Sequence, residues 1–369
     1  MAALFSSAAK DALRLLALVG VMALSTGRAT FAQAVAARLP HDELTFTGRL
    51  SDVTWSPDGA MLALAVDNHI QLYSNTLINI SQLDGHTDVI NSLSWSPDGQ
   101  YLASGGDDKT IRIWDMRSGN NFGALVKTLS ANDWVSKVQW SPDGTYLASM
   151  TLDQSMPPAD GVYPWEATSI WNLSTEQVDR VLPSVLRSIS LDWKPDSHLL
   201  AKADFGGDDG PAVRVWDADT GQLQFSVPIG GEMPIFDVAW NPNGNLLAIA
   251  SNWLSVLILD ANTQQITQGL EGLGGSRTVA WRPDGLQVAA GDQIGNLGIW
   301  DIRTSQLLAN IVSAHDGLIR QAAWSPSGSS LATISSEDNT LRIWDTSGIV
   351  SPTGLPTTTP FPTLTPSAR

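Results

Sequence analysis

The chain has 369 residues, no cysteine and a formal net charge of −16. That acidic balance excludes the basic stripe or groove of a nucleic-acid binder, and the missing cysteines leave no residue for a lipid-modified cysteine anchor. With 16% charged and 43% apolar residues, and 31 Gly beside 20 Pro, the composition is that of many short strands joined by tight turns.

The first segment, residues 1–34, differs from the rest. Lys10 and Arg14 precede the apolar run Leu15 to Leu24, and Ala32-Gln33-Ala34 follows. This order predicts a secretory signal, and the run is too short for a bilayer, which needs about 20 residues. Asp11 and Arg28 depart from the pattern. The expected location is secreted or cell-envelope, with no transmembrane segment in the mature chain.

From there Trp-x-Pro recurs seven times, at Trp55, Trp95, Trp140, Trp193, Trp240, Trp281 and Trp324, in steps of 40, 45, 53, 47, 41 and 43 residues. A near-constant period of this length means copies of one supersecondary unit. Within a copy, Val89 to Trp95 alternates as a half-buried strand does. Ser96-Pro97-Asp98-Gly99 then supplies a turn, because proline presets φ, Asp bonds its own backbone and Gly accepts a positive φ. Tyr101 to Ser104 and Thr110 to Asp115 read as second and third strands, and Phe122 to Leu129 as a fourth. Four antiparallel strands per period make a propeller blade. Glu43 to Thr47, an extended stretch ahead of the first anchor, is expected to supply the fourth strand that the last repeat lacks. Residues 348–369 form a Pro/Thr-rich tail, expected to be a disordered spacer like those of exported bacterial surface proteins.

Trp114-Asp115, Trp171-Asn172, Trp216-Asp217, Trp300-Asp301 and Trp344-Asp345 end five third strands; Tyr73-Ser74 and Leu259-Asp260 take the other two places. With Gly85-His86 and the phrase LASGGDDKTIRIWD, these endings resemble the WD-repeat β-propeller family, in an exported bacterial type, over residues 42–347. The fold expected is all-β: a single seven-bladed propeller closed by an N-terminal strand. The resemblance implies a buried tetrad of His86, Ser104, Asp108 and Trp114 in repeat two, and of His315, Thr333, Asp338 and Trp344 in repeat seven. The other repeats lack the His; Ala131 stands there in repeat three.

Nothing in the sequence spells out a chemistry. His-Glu-x-x-His, Gly-x-Ser-x-Gly and Walker-type signatures do not occur, so no catalytic residue, metal or cofactor is assigned. Three tryptophans, Trp134, Trp165 and Trp253, serve neither anchors nor third strands. By resemblance they fall on the top face, so Trp134, Tyr163, Trp165, Phe205 and Trp253 are read as a recognition patch rimmed by Met156 and Pro157. The acidic Asp204, Asp208 and Asp209 read as a solvated turn rather than a calcium loop, since the spaced ligands and distal Glu are missing. The function expected is a non-catalytic, monomeric scaffold that presents its top face to a protein or peptide. A carbohydrate-binding module using the same patch, and a hydrolase or lyase in the central funnel, are the alternatives.

Overall fold

Each Trp-x-Pro turn is held by its own side chains. Ser96 Oγ donates to Asp98 Oδ1 at 2.6 Å, and the same two oxygens accept the Tyr101 and Gln100 N–H groups at 2.9 and 3.0 Å. Gly99 closes the turn at φ 69°, a conformation in which a Cβ is strained. Ser56–Asp58 and Ser141–Asp143 repeat the bond at 2.5 and 2.6 Å. The motif is therefore a folding instruction before it is anything else.

The computed structural model describes residues 40–152, 166–182, 187–205, 210–230, 234–252 and 255–351. Among them are 28 strands in seven four-stranded antiparallel sheets. Six sheets run in chain order; in blade two, for example, Ile90–Trp95, Tyr101–Gly106, Thr110–Asp115 and Leu125–Ser130 lie side by side. The fourth strand starts three residues later than the sequence suggests. Gly119 and Gly123, at φ 126° and 81°, turn the chain there, and Phe122 packs on the core from that turn.

The first strand of every blade packs against the first strands of both neighbours, so the seven form a ring. Both faces of a sheet are then covered, and second strands read as unbroken apolar runs such as Leu62-Ala63-Leu64-Ala65, all fully buried. The anchor tryptophans join blades. Trp55, Trp95, Trp193, Trp281 and Trp324 donate from Nε1 to the carbonyls of Ala323, Thr54, Gln139, Ala239 and Ala280 in the preceding blade, at 2.9–3.4 Å. The inner edge of a first strand has no ladder partner, and side chains of the preceding blade cap it. Asp52, Ser94, Asp192 and Asp237 accept the N–H groups of Leu93, Trp140, Trp240 and Val279 at 2.6–3.0 Å.

Closure uses the N-terminal strand. Asp42–Thr45 pairs antiparallel with Thr340–Ile343 of the last third strand and completes blade seven. Packing also runs past residue 347, because Ile349 is 5% exposed within the blade six and seven cluster.

Candidate interaction surface

The strand register defines one face of the ring. First strands begin opposite the ends of second strands: Trp134 pairs Leu152, Arg187 pairs Phe205, and Ile235 pairs Ser251. Trp134 and the residues that bracket 153–165, 206–209 and 253–254 therefore share this face. Trp134 is half-buried, with its N–H on Asp133 Oδ1 at 2.8 Å. Met156, Pro157, Tyr163, Trp165, Asp208, Asp209, Trp253 and the Phe205 side chain lie outside the described residues. Asp204 does not belong to a solvated turn. It sits on the second strand of blade four, 2% exposed, accepting Arg214 Nη1 at 2.8 Å and the Ser188 hydroxyl. Those partners neutralise the carboxylate and take up its oxygens.

A second set of residues on this face was not read from the sequence. Six blades carry a β-bulge four residues before the anchor tryptophan, at Ser51, Asn91, Ser136, Ile189, Phe236 and Arg320. A bulge leaves one residue unpaired and re-aims its side chain. In blade six Arg277 holds the same position, just ahead of the first strand. Its guanidinium carbon lies 3.6 Å from the Phe236 ring centroid, a cation–π contact across blades five and six. Arg277 Nε is buried without a partner among the described residues. Arg320 Nε donates to Ser51 O at 2.9 Å and ties blade seven to blade one. Burial lowers the pKa of both arginines, and at Arg320 the charge of Arg49 adds to it. The signal was present in the sequence: at this one position the repeats change from Ser and Asn to Ile, Phe and Arg.

Below the mouth the polar groups are mutually engaged. Asp237 Oδ1 accepts Ser190 Oγ at 2.6 Å, and Oδ2 accepts Val279 N at 3.0 Å and Thr278 Oγ1 at 3.3 Å. Asp192 accepts Gln139 Nε2 and, at 2.6 Å, Trp240 N. Burial raises both carboxyls, Asp192 to about 6, with the charge of Asp237 adding at Asp192 and Lys137 opposing. Raised carboxyls in a cleft are what an acid–base site requires. Here, however, their oxygens already hold neighbouring blades together.

The tetrads are each confined to a single blade. His86 Nδ1 is 2.9 Å from Asp108 Oδ2 and its Nε2 is 2.8 Å from Ser104 Oγ, which accepts Trp114 Nε1 at 2.9 Å. His315, Asp338, Thr333 and Trp344 repeat these contacts at 3.1, 2.8 and 2.8 Å. With the hydroxyl accepting from Trp, its proton goes to His Nε2, and Nδ1–H goes to the carboxylate, which requires a neutral imidazole. Burial lowers the His86 pKa against the pull of Asp108, consistent with that tautomer. Among the described residues of blade three the bond from Trp171 Nε1 to Ser149 Oγ, 2.8 Å, is the tetrad contact present.

Seven blades, a Velcro strand, inter-blade tryptophans and His–Ser/Thr–Asp–Trp tetrads define a WD-repeat β-propeller, and the chain belongs to that family. The family model described as IFT122 first beta-propeller matches residues 49–278, and the WD domain, G-beta repeat model matches 306–345. Pre-mRNA-processing factor 17 of Homo sapiens is 32% identical over 146 residues, 37% of this chain and 24% of that protein. Periodic tryptophan protein 2 of Arabidopsis thaliana is 28% identical over 263 residues, 69% of this chain and 27% of that protein. Transcriptional corepressor LEUNIG_HOMOLOG of Arabidopsis thaliana is 24% identical over 181 residues, 48% and 22%. The chain thus spans about a quarter of the length of these relatives. No helix among the described residues is long and apolar enough to cross a membrane.

Proposed function

We propose that the protein is a non-catalytic interaction scaffold that offers the mouth of its ring to a protein or peptide. The observation that carries this reading is the shared bulge, a position where the side chains differ from blade to blade while the flanking repeats are alike. Phe236 and Arg277 supply an aromatic surface with a fixed charge, the pairing favoured at binding hot spots. The patch of Trp134, Tyr163, Trp165, Phe205 and Trp253 would widen it over blades three to five. The relatives, a pre-mRNA-processing factor and a transcriptional corepressor, support assembly work over chemistry.

A pull-down compares the wild-type chain with Phe236→Ala/Arg277→Ala and Trp165→Ala/Trp253→Ala variants of unchanged melting temperature. A protein retained by wild type and lost by either variant supports the reading; equal retention by all three moves the site off this face. The order of charged, apolar and small residues in 1–34 supports export in addition. Terminal sequencing of the protein from its own cells tests that part: Val35 as first residue supports export, and an intact N-terminus refutes it.

A further inference from the structure

Ile349 shows how this ring uses the grooves between blades on the opposite face, where the Trp-x-Pro turns lie. It is buried in the cluster that holds Ile299 and Trp324, with Leu308 packed on it. Its carbonyl accepts Gln287 Nε2 at 3.0 Å, and Gln287 also reaches Ser351 Oγ at 3.3 Å. A turn, closed by the bond from Ile349 N to Thr346 O at 3.0 Å, thus presses an aliphatic side chain between blades six and seven. The counterparts of Gln287, Ile299, Leu308 and Trp324 between blades two and three are Tyr101, Ile113, Val126 and Trp140, by their distance from the anchors and by strand register. These four, with Leu173, wall a groove of about 350 Å³. Val126 is 45% exposed there. Trp140 is a wall whose Nε1–H is buried without a partner among the described residues, whereas Trp324 has its carbonyl.

We propose that this groove binds a peptide that inserts a branched aliphatic side chain, as Ile349 does between blades six and seven, with a basic residue beside it. The basic residue follows from the rim: Asp98 and Asp143 stand at the two turns that flank the opening. Burial opposes the Asp143 charge, but hydrogen bonds from Ser141, Thr145 and His198 hold its carboxyl far below the ordinary range. Those bonds, His198 Nε2 at 3.0 Å among them, occupy both its oxygens, so Asp98 is the rim carboxylate that meets the basic residue. Lys127, the cation of the groove, is already committed to Leu173 O at 2.6 Å and Glu176 at 3.1 Å. The site is independent of the channel mouth.

The probe is a fluorescein-labelled pentapeptide, KGIVS, which repeats Gly348 to Ser351 behind a lysine, followed by anisotropy on the full chain. Saturable binding with Kd below about 1 mM is expected. It should weaken at least about tenfold for KGDVS, for peptide in 0.5 M salt, and for Val126→Glu. Val126→Leu and Phe236→Ala should bind as wild type does. Because Val126 lies half in water, its carboxylate variant stays folded, and the KGDVS arm needs no variant at all. Absence of saturation at about 1 mM, or equal binding of KGIVS and KGDVS, overturns the proposal.

Discussion

Lys202 is fully buried at the second-strand position where blades two, three and seven keep a hydroxyl, Ser104, Ser149 and Thr333. It pairs with Arg214 across the sheet as Ser104 pairs with Arg112 and Thr333 with Arg342. In those blades the hydroxyl accepts the third-strand indole; in blade four neither Lys202 Nζ nor Trp216 Nε1 has a partner among the described residues. Lys202→Ser removes a buried amine without a partner among the described residues and gives Trp216 an acceptor, so it should stabilise the fold by about 1–3 kcal/mol. A urea midpoint at or below wild type would show that the lysine is satisfied in place. Asp192 makes a different prediction. Its native carboxyl titrates near 6, above the ordinary value of 3.8, chiefly through burial. The folded chain then keeps a proton that the unfolded chain sheds, so this group's contribution to stability is lost as pH rises from about 4 to about 6. Asp192→Asn abolishes that loss. Its amide retains both bonds once Gln139, whose Oε1 has no partner among the described residues, turns over. The variant should gain on wild type by up to about 3 kcal/mol between pH 4 and pH 7. A gap in stability independent of pH would contradict the assignment.

Strands and turns were legible because each is written within about ten residues: alternation for the strand, Ser-Pro-Asp-Gly for the turn. Partners were not. The carbonyl that Trp281 meets belongs to Ala239, 42 residues earlier and on another blade. Likewise the bulge at Phe236 exists only once a first strand is laid against its second. The tetrads of blades two and seven could be named through resemblance, while the late start of blade two's fourth strand depended on a glycine turn between strands. Of the candidate surface, Phe236 and Arg277 became neighbours only in the closed ring, while the side chains of the aromatics marked in the sequence, Trp134 apart, lie outside the described residues. The anchors can be tested as elements of that ring. Phe in place of Trp removes the same ring volume at every anchor, but a hydrogen bond only where one exists. Trp281→Phe should therefore cost about 1 kcal/mol more than Trp140→Phe, whose Nε1 has no acceptor among the described residues. Equal losses would mean that packing alone holds the blades together.

A ring of blades is as strong as its seam, and here the seam joins segments about 300 residues apart. Besides the ladder from Asp42–Thr45 to Thr340–Ile343, His41 N donates to Ile343 O at 2.6 Å and Phe46 N to Asn339 O at 2.9 Å. Arg342 Nε bonds Glu43 Oε2 at 2.8 Å. Leu44 and Phe46 pack on the core shared by blades one and seven, and Phe46 meets Tyr73 edge-on at 6.2 Å. The strand therefore completes one blade and grips the next, so its loss both exposes a sheet edge and loosens the junction. Removing residues 42–47 deletes several backbone bonds, each worth about 0.5–1.5 kcal/mol, together with two apolar side chains from that core. The melting temperature should fall by about 5–10 °C. The exposed edge of the Thr340–Asp345 strand should also promote association, read as a mass shift by light scattering. A synthetic peptide of residues 40–48 added in trans should restore part of the loss, because the open edge accepts a strand from any source in the right register. Full stability after the deletion would place the seam's strength in the contacts between first strands instead.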